Sequence, residues 1–482
     1  MSLDALREEL LALKEAMRPL EPDSTERADL GGRALDHALA FLDANPDSPA
    51  NNSWSDVFAQ RLDPEFTGEG RGPAEIFDYL RECVDRPGFT TTSPRFMAYI
   101  PGGALFHSAI GDFLAAVSNK YSGFASASPG AVRLENACTA WLAKVVGFPA
   151  EAAGTLTSGG SIANLTAIVA ARDALDPQGG GAVYRTKFAH YCVDKALHIA
   201  GRGGAPRRVI ATDELHRMSI EALDEAMARD AAERVRPWLV VASAGTVDTG
   251  AIDPLDEIAD VCARHGAWLH VDGAYGGLFS LCDEGKAKLK GIDRADSVAL
   301  DPHKTLFLPY GTGAVLVRDG AKLLASFSAS ADYIRPLGES EVGISPAELS
   351  PELTRHFRAL RLWLPLQLAG TDAFKAAQTE KLKLARYFHA RLSEIDGFDA
   401  GPEPQLSVVA FRYLPSDGSD PDAFTEQLFR DLTDEGRIMF SGTRIDGRYY
   451  IRCAILSFRT HVEHVDEAIE ALVRAVSRRA DA

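Results

Sequence analysis

AWLHVDGAYGG, residues 267–277, is the stretch on which the reading of the fold turns. It opens as an apolar run of strand length, meets a carboxylate at Asp272 and breaks on glycines, the pattern of a buried strand whose polar end leads into a loop. Four further runs share this form: RRVIAT (207–212), WLVVASAG (238–245), DSVALD (296–301) and GAVLVRD (313–319). Helical stretches such as SIANLTAIVAARDAL (161–175) and PLDEIADVCARHG (254–266) alternate with them. Such alternation predicts an α/β domain with a mainly parallel sheet covered by helices on both faces.

The pattern changes on either side of that block. Leu3, Leu6, Leu10, Leu13, Met17 and Leu20 recur at spacings of three and four, which makes one apolar helical stripe that must be covered by this chain or by another. Turn-rich sequence follows to about residue 90. Beyond about residue 375, LSVVAFRYL (406–414) and RYYIRCAILSF (448–458) read as strands, Asp446-Gly447 as a hairpin turn, and 422–436 and 462–476 as amphipathic helices. The expected organisation is an N-terminal helical segment (1–100), a large domain (101–375) and a small C-terminal α+β domain (376–482).

With 46% hydrophobic and 25% charged residues, the 482-residue chain has the composition of a globular protein with a large core. Its 51 Lys and Arg against 68 Asp and Glu leave a net charge of -17, which argues against nucleic-acid and anionic-membrane partners. The six cysteines show no CxxC spacing, and no apolar signal core or membrane-length run is present, so a cytoplasmic setting is expected. His461 and His464 form a short pair without cysteine or carboxylate company at metal spacing, and no metal site is expected.

In an open α/β sheet, ligands bind beyond the carboxyl ends of the strands. Residues 158–161, Ser-Gly-Gly-Ser, precede a helical pattern and suit an anion, though a plain capped loop has the same composition. Asp272 ends one strand-like run, and Lys304 follows another in DPHKTLFLPYGTG (301–313); His190 lies in KFAHYCVDKALHIAG (187–201). Singly, each has an ordinary reading as a cap, an ion pair, a packed histidine or a surface lysine. Together they meet the requirements of pyridoxal phosphate (PLP): an anion cradle, a flat partner for the ring, a carboxylate for the pyridine nitrogen and a lysine for the Schiff base. No GxxxxGK[ST], HExxH or GxSxG motif is present.

TSGGSIAN, AHYCVDKA, ASAGTVDTGAIDPL, WLHVDGAYGG, ADSVALDPHKTL and YIRCAILSFRT together resemble the group II PLP-dependent amino-acid decarboxylases, across roughly residues 85 to 475. The resemblance implies the PLP-dependent transferase fold type I and a homodimer with active sites at the subunit interface, in which the N-terminal stripe could act as a clasp. It also implies that Lys304 carries the cofactor, His190 stacks on its ring, Asp272 pairs with the pyridine nitrogen and Ala274 packs beneath. Gly160, Ser161 and Ser297 would hold the phosphate, Thr246 would stand near the ring oxygen with His190, and His303 would sit beside the lysine.

Tyr333, in SASADYIRP, matches the loop tyrosine that returns a proton to the substrate carbon in family decarboxylases; relatives with phenylalanine there form aldehydes. In SPRFMAYIPGG (93–103), Tyr99, Ile100 and Pro101 resemble the apolar substrate wall, and Tyr121 and Phe124 could reach across from a second subunit. Thr91 and Gly102 stand where the aromatic enzymes place tryptophan and threonine. The expected reaction is decarboxylation of an L-amino acid, aromatic by preference, to its amine; an acidic or bulky aliphatic substrate, or aldehyde synthesis on the same fold, is the alternative.

Overall fold

The structure is a computed structural model that describes residues 2–52, 66, 68–328 and 343–480. Two helices open the chain, α1 (Leu3–Ala16) and α2 (Ser24–Ala44), the second started by an Asp23/Glu26 capping box. Neither contains a buried residue, so the apolar stripe of α1 is left uncovered by the described residues of its own chain. Helices α3 (Phe106–Ser118) and α4 (Pro129–Val146) lead into the large domain.

That domain is built on β1 (Ala153–Thr157), α5 (Gly160–Leu175), β2 (Ala182–Thr186), α6 (Cys192–Leu197), β3 (Arg207–Ile210), β4 (Pro237–Ser243), α7 (Leu255–His265), β5 (Trp268–Gly273), β6 (Ser297–Leu300), the short α8 (Pro302–Thr305) and β7 (Gly313–Val317). The strands form a seven-stranded sheet in the order β1-β7-β6-β5-β4-β2-β3, with β7 antiparallel to both neighbours and every other pairing parallel. Every residue of β4 and β5 is buried, because helices cover both faces; their unbroken apolar runs reflect this. Helix α5 turns Ala163, Ala167, Ala170 and Ala171 inward, and such small side chains let it lie close to the sheet. Helix α7 buries Leu255, Ile258, Ala259 and Cys262, presents Asp256, Glu257 and Asp260 outward, and stops at Gly266 with φ +66°.

The small domain carries α9 (Thr371–Ser393), β8 (Phe398–Asp399), β9 (Val408–Tyr413), α10 (Pro421–Glu435), β10 (Ser441–Ile445), β11 (Arg448–Ala454) and α11 (Val462–Ala480). Its antiparallel sheet has the order β8-β9-β11-β10, and Asp446-Gly447 turns the hairpin with both φ positive, as the two-residue turn requires. The segment expected to end near residue 100 joins this domain: Met97 N–H donates to Met439 O at 2.8 Å, and Met97 O accepts from Ala454 N at 2.8 Å. Met97 is completely buried in the small-domain core.

Candidate active site

The carboxyl ends of β5 and β6, the start of α5 and the turn carrying Lys304 converge on a cavity of about 290 Å³. Asp272, Ala274, Gly160, Ser161, His190, Thr246, His303 and Lys304 all line it, so residues 144 positions apart in the chain meet in one place.

Lys304 lies two residues beyond the start of α8, and its Nζ is 3.1 Å from Asp301 Oδ2. Burial works against its charge, but Asp301 and then Asp272 outweigh this and hold the ammonium above its usual pKa. Asp301, only 2% exposed, was given no role from the sequence; its Oδ1 is buried without a hydrogen-bond partner among the described residues. It stood inside the DPHK motif, but only the approach of Gly160 and Lys304 in space gives it one. Asp272 is the last residue but one of β5, and its Oδ1 accepts from Ala274 N at 3.2 Å.

His190 Nδ1 accepts from Cys192 N at 3.2 Å, and burial lowers the pKa of the ring, favouring the neutral form. His303 Nδ1 lies 2.7 Å from Thr312 O and donates to it; burial lowers this pKa too. Thr246 is buried, with its hydroxyl 2.7 Å from that of Thr249.

Gly160 is pressed between two walls: a Cβ there would stand 2.9 Å from Asp301 Oδ2 and 3.0 Å from Ala274 Cβ. Any side chain would fill the mouth of the cradle. The first turn of α5 leaves N–H groups without helical partners there, and the Ser158 and Ser161 hydroxyls line the same wall. The lining fits a phosphate-bearing aromatic aldehyde, with free N–H groups at the α5 start that suit an anion, the small Ala274 and flat His190 that suit a ring, and a lysine and a carboxylate within the same walls.

Ser297 does not join them. It opens β6, while the cavity lies past the other end of that strand, about 10 Å further on. Its hydroxyl is enclosed between Trp268 Nε1 at 2.8 Å and His270 Nδ1 at 2.9 Å, which leaves it no route to a phosphate.

Tyr99, Ile100 and Pro101 do not line the cavity either. Ile100 and Pro101 are buried, while Tyr99 is 54% exposed. Their segment does press on the lysine turn, since a Cβ on Gly102 would lie 2.1 Å from His303 O. The threonine of the aromatic enzymes has no room on this backbone, so glycine there follows from close approach. Thr91 bonds to the phenol of Tyr310, whose ring packs edge-on against His303 at 5.7 Å. Tyr333 lies outside the described residues.

Residues 59–414 match the Pyridoxal-dependent decarboxylase conserved domain. The chain is 34% identical to the aromatic-L-amino-acid decarboxylase of Bacillus atrophaeus, over 95% of this chain and 98% of that one. It is 35% identical to the L-2,4-diaminobutyrate decarboxylase of Rhizobium meliloti (strain 1021), over 72% and 70%. Among solved structures, Oryza sativa TDC with PLP and tryptamine superimposes with a TM-score of 0.89 at 26% identity, covering 95% of this chain and 99% of the other. The chain belongs to the pyridoxal-dependent decarboxylases: it is a fold type I enzyme that uses PLP to remove the carboxylate of an amino acid.

Proposed function

We propose that the substrate is an aromatic L-amino acid and the product its amine, made by a cytoplasmic homodimer. The observation that carries the substrate class is the identity to the Bacillus atrophaeus enzyme along almost the whole of both chains. An acidic substrate is disfavoured, because Lys304 is the one lysine or arginine among the described residues lining the cavity. The dimer is supported by apolar surface that a single chain leaves in water: the α1 stripe, and Phe113 and Val117 of α3 at 62% and 69% exposure. Buried cysteines without disulfides, and no described helix long and apolar enough to cross a membrane, fit the cytoplasmic reading.

In this reading Lys304 is the attachment point of PLP, with Gly160 and Ser161 at the phosphate, Asp272 at the pyridine nitrogen and Ala274 below the ring. When bound, PLP supplies the sink for the electrons released as carbon dioxide leaves. The protein's part is to orient the bond that breaks and to manage protons. Asp301 holds a proton on Lys304 Nζ at 3.1 Å, so an amine departing from or returning to that position has a charged partner. Neutral His190 offers a flat face without adding a second cation to the ring's surroundings. The proton returned to the substrate carbon is assigned to Tyr333 on sequence grounds.

The test is product analysis. Purified protein with PLP is incubated with single L-amino acids, and products are identified by mass spectrometry. Amine from tryptophan, tyrosine or phenylalanine is expected; amine only from diaminobutyrate, an acidic or an aliphatic acid overturns the substrate class. Tyr333→Phe is expected to divert product from amine to aldehyde, and an unchanged amine yield would remove Tyr333 from the proton step.

A further inference from the structure

We propose that His270 and Ser297 are positioning residues: with Asn164 they form a buried, one-way hydrogen-bond chain that holds the first turn of α5 in place for the cofactor's phosphate. The inference rests on the reading of Gly160 and Ser161 as the phosphate cradle.

Its two ends set the direction. At one end, Trp268 Nε1–H can only donate, and it reaches Ser297 Oγ at 2.8 Å. At the other, Gly160 O can only accept, and Asn164 Nδ2 reaches it at 2.8 Å. The Asn164 amide is thereby oriented, with Oδ1 facing His270 Nε2 at 2.7 Å. Nε2 must carry the proton. Nδ1 is then a lone pair and takes the single Ser297 hydroxyl proton across 2.9 Å. Burial keeps the ring neutral by pushing its pKa down to about 4, as this tautomer requires. Trp268, His270, Ser297 and Asn164 are all at most 1% exposed, so water cannot replace a lost partner.

The chain crosses the molecule from β6 through β5 to α5. Its last bond grips Gly160 from behind, while Ala274 and Asp301 confine it from the cavity side. Asn164 Nδ2 also donates to Cys192 Sγ at 3.5 Å, in the helix next to His190. Cutting the chain at Ser297 leaves His270 Nδ1 and Trp268 Nε1 unpaired, so the proton is no longer fixed on Nε2 and the donor that orients Asn164 is weakened, which loosens the cradle without touching the ligand.

The apo forms of wild type, Ser297→Ala, His270→Phe and Ser161→Ala are titrated with PLP and with pyridoxal, which lacks the phosphate, and their thermal midpoints are recorded. Ser297→Ala and His270→Phe are expected to weaken PLP about tenfold or more while pyridoxal affinity stays unchanged. Equal losses for both ligands, or none, with Ser161→Ala losing PLP selectively, would overturn the relay and leave the cradle standing. If Ser161→Ala shows no selective loss, the cradle reading falls and the relay with it. Should His270→Phe not fold, Ser297→Ala carries the test.

Discussion

Strand β6 is four residues long, and its ends treat polar side chains in opposite ways. At its start, Ser297 is sealed among protein partners, with both neighbours and its own proton accounted for. Just past its end, Asp301 is equally buried, but one of its oxygens has no hydrogen-bond partner among the described residues and the other turns to Lys304. Burying an unpaired polar atom costs stability, so it persists where the chain is shaped for something else. The sealed end packs within the frame; the unsealed end faces the cavity. A second buried pair lies behind β1, where Glu135 and Arg355 meet at 2.8 Å almost out of contact with water, away from the Ser-Gly-Gly-Ser mouth that β1 leads into.

The contrast breaks most sharply at Lys304. Lys304→Ala is expected to lower kcat/KM at least about 10⁴-fold while leaving the fold intact, as measured by amine production and by circular dichroism. On the sealed side the cost is in stability instead. Glu135→Ala strands the Arg355 guanidinium, whose Nε has no hydrogen-bond partner among the described residues, and is expected to destabilise by about 3–5 kcal/mol in chemical denaturation.

His270 sharpens the comparison through pH. Its ring titrates near 4 when folded and near 6.5 in an unfolded chain, so between those values the unfolded state binds more protons. Stability is therefore lost as pH falls from about 6.5 toward 4 and levels off below, a span on the order of 3 kcal/mol. His270→Phe is expected to flatten that part of the wild-type curve, read from denaturation midpoints across the range. Asp301→Asn is the mildest change. It removes the main influence that raises the Lys304 pKa, so Lys304 in the apo protein is expected to titrate at lower pH and kcat/KM to fall about tenfold. A pH-dependent amine-labelling rate at Lys304 checks the first expectation. An unchanged rate profile would mean that Asp272 alone governs the lysine.

The legible part of this protein lies where one chemical preference has one physical cause. Residues 238–243 and 268–271 are apolar because helices cover both faces of the sheet, so the strands and their parallel arrangement are readable. Asp272 and Lys304 stand out because polar groups after such runs mark strand ends. Positive φ at Asp446 and Gly447 makes their hairpin readable from two letters. The resemblance to the decarboxylases carried the cofactor correctly, since DPHK and HVDGAY are local motifs.

What failed or was missed depends on where along a strand a residue falls and what approaches it from afar. Ser297 and Asp301 flank the same three apolar letters; the carboxyl-end rule points to the Asp301 side, whereas the resemblance implied Ser297, and only the hydrogen bonds from Trp268 and to His270 show that Ser297 is sealed. The single antiparallel strand β7 has the same apolar composition as its parallel neighbours, so its direction is set by the path of the chain. Gly102 looked like a departure from the aromatic enzymes until the carbonyl of His303 was found against it, about 200 residues further along the chain. By itself the sequence determined the layers of the fold and the cofactor, because periodicity and short motifs are local. Only the tertiary structure decided which buried polar groups face the ligand and which hold the frame, because that depends on donors and acceptors brought together from distant parts of the chain.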